Sequence, residues 1–379
     1  MTIYKINKES NFDEICKQIS PSLSGQDMMK KKSNINFFFI KNIKSPAANI
    51  LKQDALSVGA ELVTNKNTIF GKDEPSNALL IGTDAQLKQL CKKEKLQDFG
   101  LKNLSNFLAL KFNKPKKPLI MGVLNINEDS FNPSSRISME DSLERILKFI
   151  EDGADYIDIG GVSSRPGSEY AGRDEEFRRI KDVVDLIYKE KLYDKVKFSL
   201  DSFDEYCLEY ALDRGFVMIN DITSNTELAK LACKYDAEFC MMHMQNDPKT
   251  MQNNPKYDDL IREIDSFFEE KINKALYNGA KKIFLDVGIG FGKTPEHNLL
   301  LMKHLEHFTH FGYPLLVGAS RKSVINHYYT SEVKDRLSGS LYLHLKSFEN
   351  GARVIRTHDV AEHKQLFAMH LAMESVNLW

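Results

Sequence analysis

Eight apolar runs in the last two thirds of the sequence end in residues whose types can do chemistry together. In order, those ends carry Asn125, Gly160–Gly161, Asp201, Asn220–Asp221, His243, Asp286, Ser320–Arg321–Lys322 and Arg356–His358. Any one of them has an ordinary structural use, since an aspartate at a strand end often caps the next helix. Eight polar ends converging on one mouth have a chemical use instead. Asp201, Asn220 and Asp286 supply acceptors and an amide donor, which suit a flat heterocycle rich in N–H groups, such as an aminopyrimidinone. Lys322, Arg356 and His358 supply positive charge for a phosphate or carboxylate. Asn125 is a neutral oxygen ligand, of the kind that Mg²⁺ takes together with substrate phosphates. Arg356 and His358 alternate along the final run, so both point the same way and are expected to share an anionic group with Asn125.

Other motifs fail on spacing. GIGFGKT (Gly288–Thr294) lacks the first glycine of a phosphate loop, because Val287 stands there. Its backbone N–H groups are left to bind an anion or to cap the next helix. His304, His307 and His310 lie three apart, a series that drifts around an α-helix, and no cysteine or carboxylate completes a zinc site with them. They are expected on a surface face. Neither GxSxG nor HExxH occurs.

The elements that must position the polar ends follow one pattern. From Pro118 onward, apolar strands alternate with amphipathic helices. The strands are PLIMGVLN, ADYIDIGG, KFSLDS, VMINDIT, EFCMMHM, KIFLDVG, PLLVGAS and RVIRTH. Continuous apolar strands between helices imply a parallel sheet covered on both faces. Eight such units over about 260 residues match the size of a (β/α)₈ TIM barrel, whose strand C-termini share one cavity. An open doubly wound sheet is the alternative, with fewer strands.

Before this core lies an α+β segment, residues 1–117, with a charged, proline-bearing linker at Lys111–Pro118. Ile35–Ile43 and Asn77–Thr83 read as strands, Ser45–Ala60 as a helix, and Ser24–Asn34 as a loop. The expected organisation is therefore a small α+β domain (1–117) followed by the barrel (118–379), in the α/β class. No second catalytic pattern stands out in the front segment, whose plainest reading is a packing or dimerisation domain.

Composition narrows the rest. The chain has 379 residues with 42% apolar and 28% charged residues, which excludes a collagenous or mostly disordered chain. Residues 1–117 carry a net charge of +9 and the remainder −10, yet no dense basic cluster with interleaved aromatics indicates nucleic acid. No run approaches the ~18 apolar residues of a membrane span, and the N-terminus lacks a signal-peptide core. Five scattered cysteines without a CxxC pair read as reduced thiols of a cytoplasmic protein.

Taken in order, these strand-end motifs resemble those of dihydropteroate synthases. The matching segments are MGVLNINEDSF (Met121–Phe131), GADYIDIGGVSSRPGSE (Gly153–Glu169), SLDS (Ser199–Ser202), INDIT (Ile219–Thr223), MHMQNDPKTMQ (Met242–Gln252), FLDVGIGFGKTPEHN (Phe284–Asn298), LVGASRKS (Leu316–Ser323) and RTHDV (Arg356–Val360). The resemblance implies a transferase of folate biosynthesis, joining 6-hydroxymethyl-7,8-dihydropterin diphosphate to 4-aminobenzoate with Mg²⁺. It implies that Asp201, Asn220, Asp286 and Lys322 contact the pterin, and that Asn125, Arg356 and His358 hold the diphosphate and Mg²⁺ end. Ser164, Arg165 and Pro166 fall in the loop that closes over the aminobenzoate, and Phe291, Lys322 and Ser323 line its pocket. Asp201, Lys322, Arg356 and His358 are the expected catalytic set. A homodimer is common in this family.

The first loop departs from the family pattern, with Ile126-Asn127-Glu128 and Asn132-Pro133-Ser134 in place of the usual residues. Two other readings compete. A pterin-dependent methyltransferase shares the acceptors, but Ser320–Lys322 and Arg356–His358 argue for an anionic leaving group. A non-catalytic pterin-binding homologue would fit the altered loop and the extra domain.

Overall fold

The computed structural model describes residues 1–8, 10–71, 74–126, 139–162, 170–246, 250–251 and 253–376. The chain divides into two compact units, Met1–Lys111 with Ala372–Trp379, and Phe112–Leu371.

The smaller unit is built on an antiparallel sheet in the order β1-β3-β2, with β1 Ile35–Ile43, β2 Glu61–Val63 and β3 Ser76–Thr83. Alternation sets its faces. Ala78 and Leu80 of β3 join Leu62 of β2 and the Ala47, Ala48, Leu51 and Ala55 stripe of helix Ser45–Ser57 in one core. The opposite face leaves Ile35, Phe37 and Phe39 exposed. Thr83 begins the next helix through a capping box with Gln86. The segment expected as a loop, Ser24–Asn34, is instead mostly helix (Leu23–Ser33), because Ser22 caps it by accepting from the Gly25 N–H. Its Gln, Met and Lys residues are good helix formers that outweigh the single glycine.

The larger unit is a closed barrel of eight parallel strands: β4 Leu119–Asn125, β5 Tyr156–Gly160, β6 Lys197–Asp201, β7 Met218–Asp221, β8 Glu238–Met242, β9 Lys282–Asp286, β10 Leu315–Val317 and β11 Ala352–Thr357. Closure comes from β11 pairing with β4, Arg356 beside Met121 and Thr357 beside Gly122. This is the TIM barrel that the alternation of strands and helices predicts. Outside, the helices bury Ile146, Ile180, Val184, Phe268 and Leu301 against the strands. Inside, Met121, Tyr156, Met218, Cys240, Phe284, Leu316 and Val354 form an apolar layer. Two residues further along several strands, the interior turns polar. Asp158 follows Tyr156, Asn220 follows Met218, Asp286 follows Phe284 and Arg356 follows Val354. The apolar layer is thus a floor, and the polar layer above it is the base of a mouth.

Candidate active site

At the centre of the polar layer stands Arg356. Its Nε donates to Asp158 Oδ2 at 2.6 Å and its Nη2 to Asp201 Oδ2 at 2.8 Å. Asn220 donates to the same Asp158 oxygen at 3.1 Å. Asp158 is fully buried, and Asp201, Asn220 and Asp286 nearly so. Burial pushes Asp201 up to about 7, against the opposing pull of Arg356. Asp286 is likewise raised by burial, with Lys322 opposing. A buried carboxyl group whose charge is disfavoured can accept from the polar edge of a heterocycle or, once protonated, donate to it.

The second side of the mouth is the loop after β9. Gly288 has φ +68°, and a Cβ there would lie 1.9 Å from the His243 carbonyl oxygen, so only glycine fits. The turn lets Asp286 Oδ1 accept from the Gly288 N–H at 2.7 Å. Asn298 takes the Gly290 N–H at 2.7 Å, and Thr294 caps helix Pro295–Lys303. The capping use of this glycine segment is therefore realised within the chain. The loop also delivers Phe291, with Lys322 Nζ 4.6 Å from its ring centre. Lys322 donates to the Ile289 carbonyl. Burial, outweighing Asp286, brings Lys322 down to about 8. Ser323 opens onto a cavity of about 330 Å³ lined also by Gly290, Lys293, Asn298 and His327.

Two members of this cluster were not singled out among the strand ends. Asp158 sits inside the run YIDIG, where it reads as part of an apolar strand. Its signal is period two, since Tyr156, Asp158 and Gly160 share one side. Lys293 is 3% exposed and donates to His243 Nδ1 at 3.0 Å and to the Phe291 carbonyl at 2.9 Å. Burial brings it down to about 7 against the pull of Asp286. It also lowers His243 to about 2, with the Lys293 charge assisting. The pair is a buried amine and a neutral ring. Nothing in the glycine-rich spacing of that loop announces a partner 50 residues earlier.

The third side is made by the loops after β10 and β11. His358 is exposed at the rim, its Nδ1 2.9 Å from Ser320 Oγ. Arg321 occupies the left-handed region at φ 55°. It is held there by a two-pronged pairing with Asp359, at 3.0 and 2.5 Å, and by its N–H to Ser340 Oγ at 2.8 Å. Behind it runs a buried chain with a fixed direction. The Ala319 N–H donates to His344 Nε2 at 2.9 Å, which leaves the His344 proton on Nδ1. That Nδ1 faces His363 Nε2 at 2.7 Å, and His363 Nδ1 faces the Asp359 carbonyl at 2.6 Å. Burial lowers both histidines, so both rings are neutral links.

Asn125 ends β4 half-buried, and its Oδ1 lies 3.1 Å from the point where a Gly160 Cβ would stand. The same point is 4.0 Å from Asp201 Oδ2, so two oxygen donors flank a position that only glycine leaves open. An all-oxygen pair at the barrel mouth suits Mg²⁺. Ser164, Arg165 and Pro166, and most of the first loop, lie outside the described residues. The structure therefore gathers Asn125, Asp201, Asn220, Asp286, Phe291, Lys322, Ser323, Arg356 and His358 around one barrel mouth.

The profile of the pterin binding enzymes matches residues 121–358, the stretch that builds this mouth. The chain belongs to the pterin-binding enzyme family. A bifunctional dihydropteroate synthase/dihydropteroate reductase from Helicobacter pylori is 39% identical over 381 residues, covering 100% of both chains. Among solved structures, a Yersinia pestis dihydropteroate synthase in a sulfonamide complex aligns with a TM-score of 0.65 at 34% identity, over 70% of this chain and 97% of that one. A Xanthomonas albilineans dihydropteroate synthase with 4-aminobenzoic acid aligns with a TM-score of 0.63 at 30% identity, over 69% and 94%. The synthase structures thus match this chain over about the length of its barrel. The Helicobacter protein matches it throughout, so the front segment is shared with a pterin-binding family member.

Proposed function

We propose that this chain is a dihydropteroate synthase. It joins 6-hydroxymethyl-7,8-dihydropterin diphosphate to 4-aminobenzoate and releases diphosphate. The observation that carries the reading is the buried constellation of Asp158, Asp201, Asn220 and Asp286 around Arg356, in a barrel matched by the pterin-binding profile. In this reading the carboxyl groups and Asn220 take the amino and N–H edge of the pterin. Phe291 and Lys322 flank the aminobenzoate ring and Ser323 sits near its carboxylate. Ser164, Arg165 and Pro166 belong to the loop that closes over it.

The carbon–oxygen bond to diphosphate breaks as a carbon–nitrogen bond forms to the aniline. The aniline lone pair is free at neutral pH, and its surplus proton leaves to solvent. Positive charge that develops on the carbon losing diphosphate is shared with the dihydropterin ring and favoured by Asp201 and Asp286. Arg356 is expected from the sequence at the diphosphate end, but its Nε and Nη2 are committed to Asp158 and Asp201, so its part is to hold those carboxyl groups in place while His358 meets the outgoing oxygens at the rim. Asn125, with Asp201 nearby, would hold Mg²⁺, which when bound supplies charge neutralisation for the leaving group. Catalysis is then chiefly positioning and electrostatics. The same reading places the enzyme in the cytoplasm as a homodimer acting on small molecules, not on nucleic acid or membranes. No helix among the described residues is long and apolar enough to cross a membrane.

The test is a steady-state assay with both substrates, following diphosphate, with and without Mg²⁺. Stoichiometric release of dihydropteroate and diphosphate is expected. Tight pterin binding without turnover would support the non-catalytic reading instead. Methyl transfer to a thiol or corrinoid without diphosphate release would support the methyltransferase.

The full-length match favours a second activity beside the first. We infer that the chain also reduces 7,8-dihydropteroate to the tetrahydro form, with residues 1–117 as the domain that adds this step. Full-length protein given 7,8-dihydropteroate and a reduced nicotinamide or flavin donor should consume both in equal amounts. A chain that makes dihydropteroate yet consumes none with any of these donors would leave the front segment a packing domain.

A further inference from the structure

His307 and His310 lie on one face because their segment, Leu305–Phe311, is a 3₁₀ helix and not an α-helix. At three residues per turn, positions i and i+3 eclipse one another, whereas an α-helix would have turned them apart. His304 lies outside the stack, exposed at the start of the segment. The carboxylate that joins the two rings comes from 42 residues earlier. Asp265, on helix Leu260–Tyr277, has Oδ2 2.8 Å from His307 Nε2 and Oδ1 4.0 Å from His310 Nε2. One ligand atom from each of the three residues lies within 4.8 Å of the others.

The proton positions make this more than an ion pair. His310 Nδ1 donates to the His307 carbonyl at 2.6 Å, which puts the ring proton on Nδ1 and the lone pair on Nε2. That lone pair faces Asp265 Oδ1, a buried oxygen with no hydrogen-bond partner among the described residues. The orphaned Asp265 Oδ1 is a buried acceptor that a cation would satisfy. The Nδ1–H to carbonyl bond is also the outer contact that orients metal-bound histidines.

We propose that Asp265, His307 and His310 form a zinc-class metal site that clips helix Leu260–Tyr277 to the 3₁₀ segment. Two imidazoles and one carboxylate are a borderline-soft set suited to Zn²⁺, with a fourth position for water. Donors in a tetrahedral site stand roughly 3.3 Å apart, given bonds of about 2.0–2.1 Å. The present separations close to that by small side-chain rotations. Binding displaces the proton between His307 Nε2 and Asp265 Oδ2 and releases it to solvent. The metal here has no part in the barrel-mouth chemistry.

The test uses full-length, chelator-stripped protein. Zn²⁺ binding is read by competition with a chromophoric chelator, and Co²⁺ binding by its visible spectrum. One ion per chain is expected, with no thiolate charge-transfer band. Asp265→Asn and His310→Gln should each weaken binding about tenfold or more, with circular dichroism unchanged. Absence of uptake by the parent chain, a thiolate band placing the ion on cysteine, or parent-like affinity in both variants would each overturn the site. Because Asp265→Asn keeps the side chain's shape, a loss of binding in that variant alone still supports it.

Discussion

Replacing Arg356 with alanine is expected to cost about 3–5 kcal/mol of folding stability at neutral pH, the loss that follows when one partner of a buried ion pair is removed. Arg356 bridges Asp158 and Asp201, and both carboxyl groups are buried. Without the guanidinium, two like charges share a site from which water is largely excluded. Acidity supplies the second check. Burial already pushes Asp201 up to about 7 from 3.8, even beside Arg356. Between those values the folded state binds a proton that the unfolded chain has lost, so this group costs stability as pH rises and costs less as pH falls. In Arg356→Ala the opposing cation is gone and the effect grows. The gap in urea-unfolding free energy between variant and parent should therefore be smaller at about pH 5 than at about pH 8. An equal gap at both would show that the guanidinium supplies packing and not charge.

Lys322→Ala is expected to lower kcat by about 10²–10³, as when one preorganised charge is removed from a site where charge develops. The amine lies over Phe291, donates to the Ile289 carbonyl and feels the field of Asp286. Since burial brings it down to about 8, the cation is present below that pH and lost above it. The pH profile of kcat should fall as pH rises through about 8. In Lys322→Arg, whose side chain stays charged, the falling limb should move up or vanish even where kcat is reduced. A limb that stays at the same pH belongs to another group, Lys293 being the nearest alternative at about 7.

The barrel was legible because strands buried on both faces must be apolar throughout, and all eight read that way. Their polar ends were legible for the same reason, as interruptions of those runs. Asp158 was hidden because it interrupts a run from within, and only counting in twos from Tyr156 reveals that it faces inward. The pairings of Lys293 with His243 and of Asp265 with His307 were hidden by distance, since contacts across 50 and 42 residues leave no local trace. Strand β2 has three residues, too few for an alternation to register. The helix Leu23–Ser33 was hidden by its glycine, and the 3₁₀ stack by the assumption of α-helical rotation.

The His344–His363 chain bears on how this protein can vary among its descendants. Its two ends are a backbone N–H at Ala319 and a backbone carbonyl at Asp359, which no substitution other than proline at 319 removes. Each ring must accept on one side and donate on the other. A lineage that loses one histidine strands the other with an unanswered nitrogen in the interior, at about 1–3 kcal/mol. A lineage that loses both leaves the buried Ala319 N–H unanswered, at a similar cost. The two positions should therefore be inherited together as a polar pair, with single losses rare. Replacing the pair in single steps passes through a less stable ancestor, so it tends to persist.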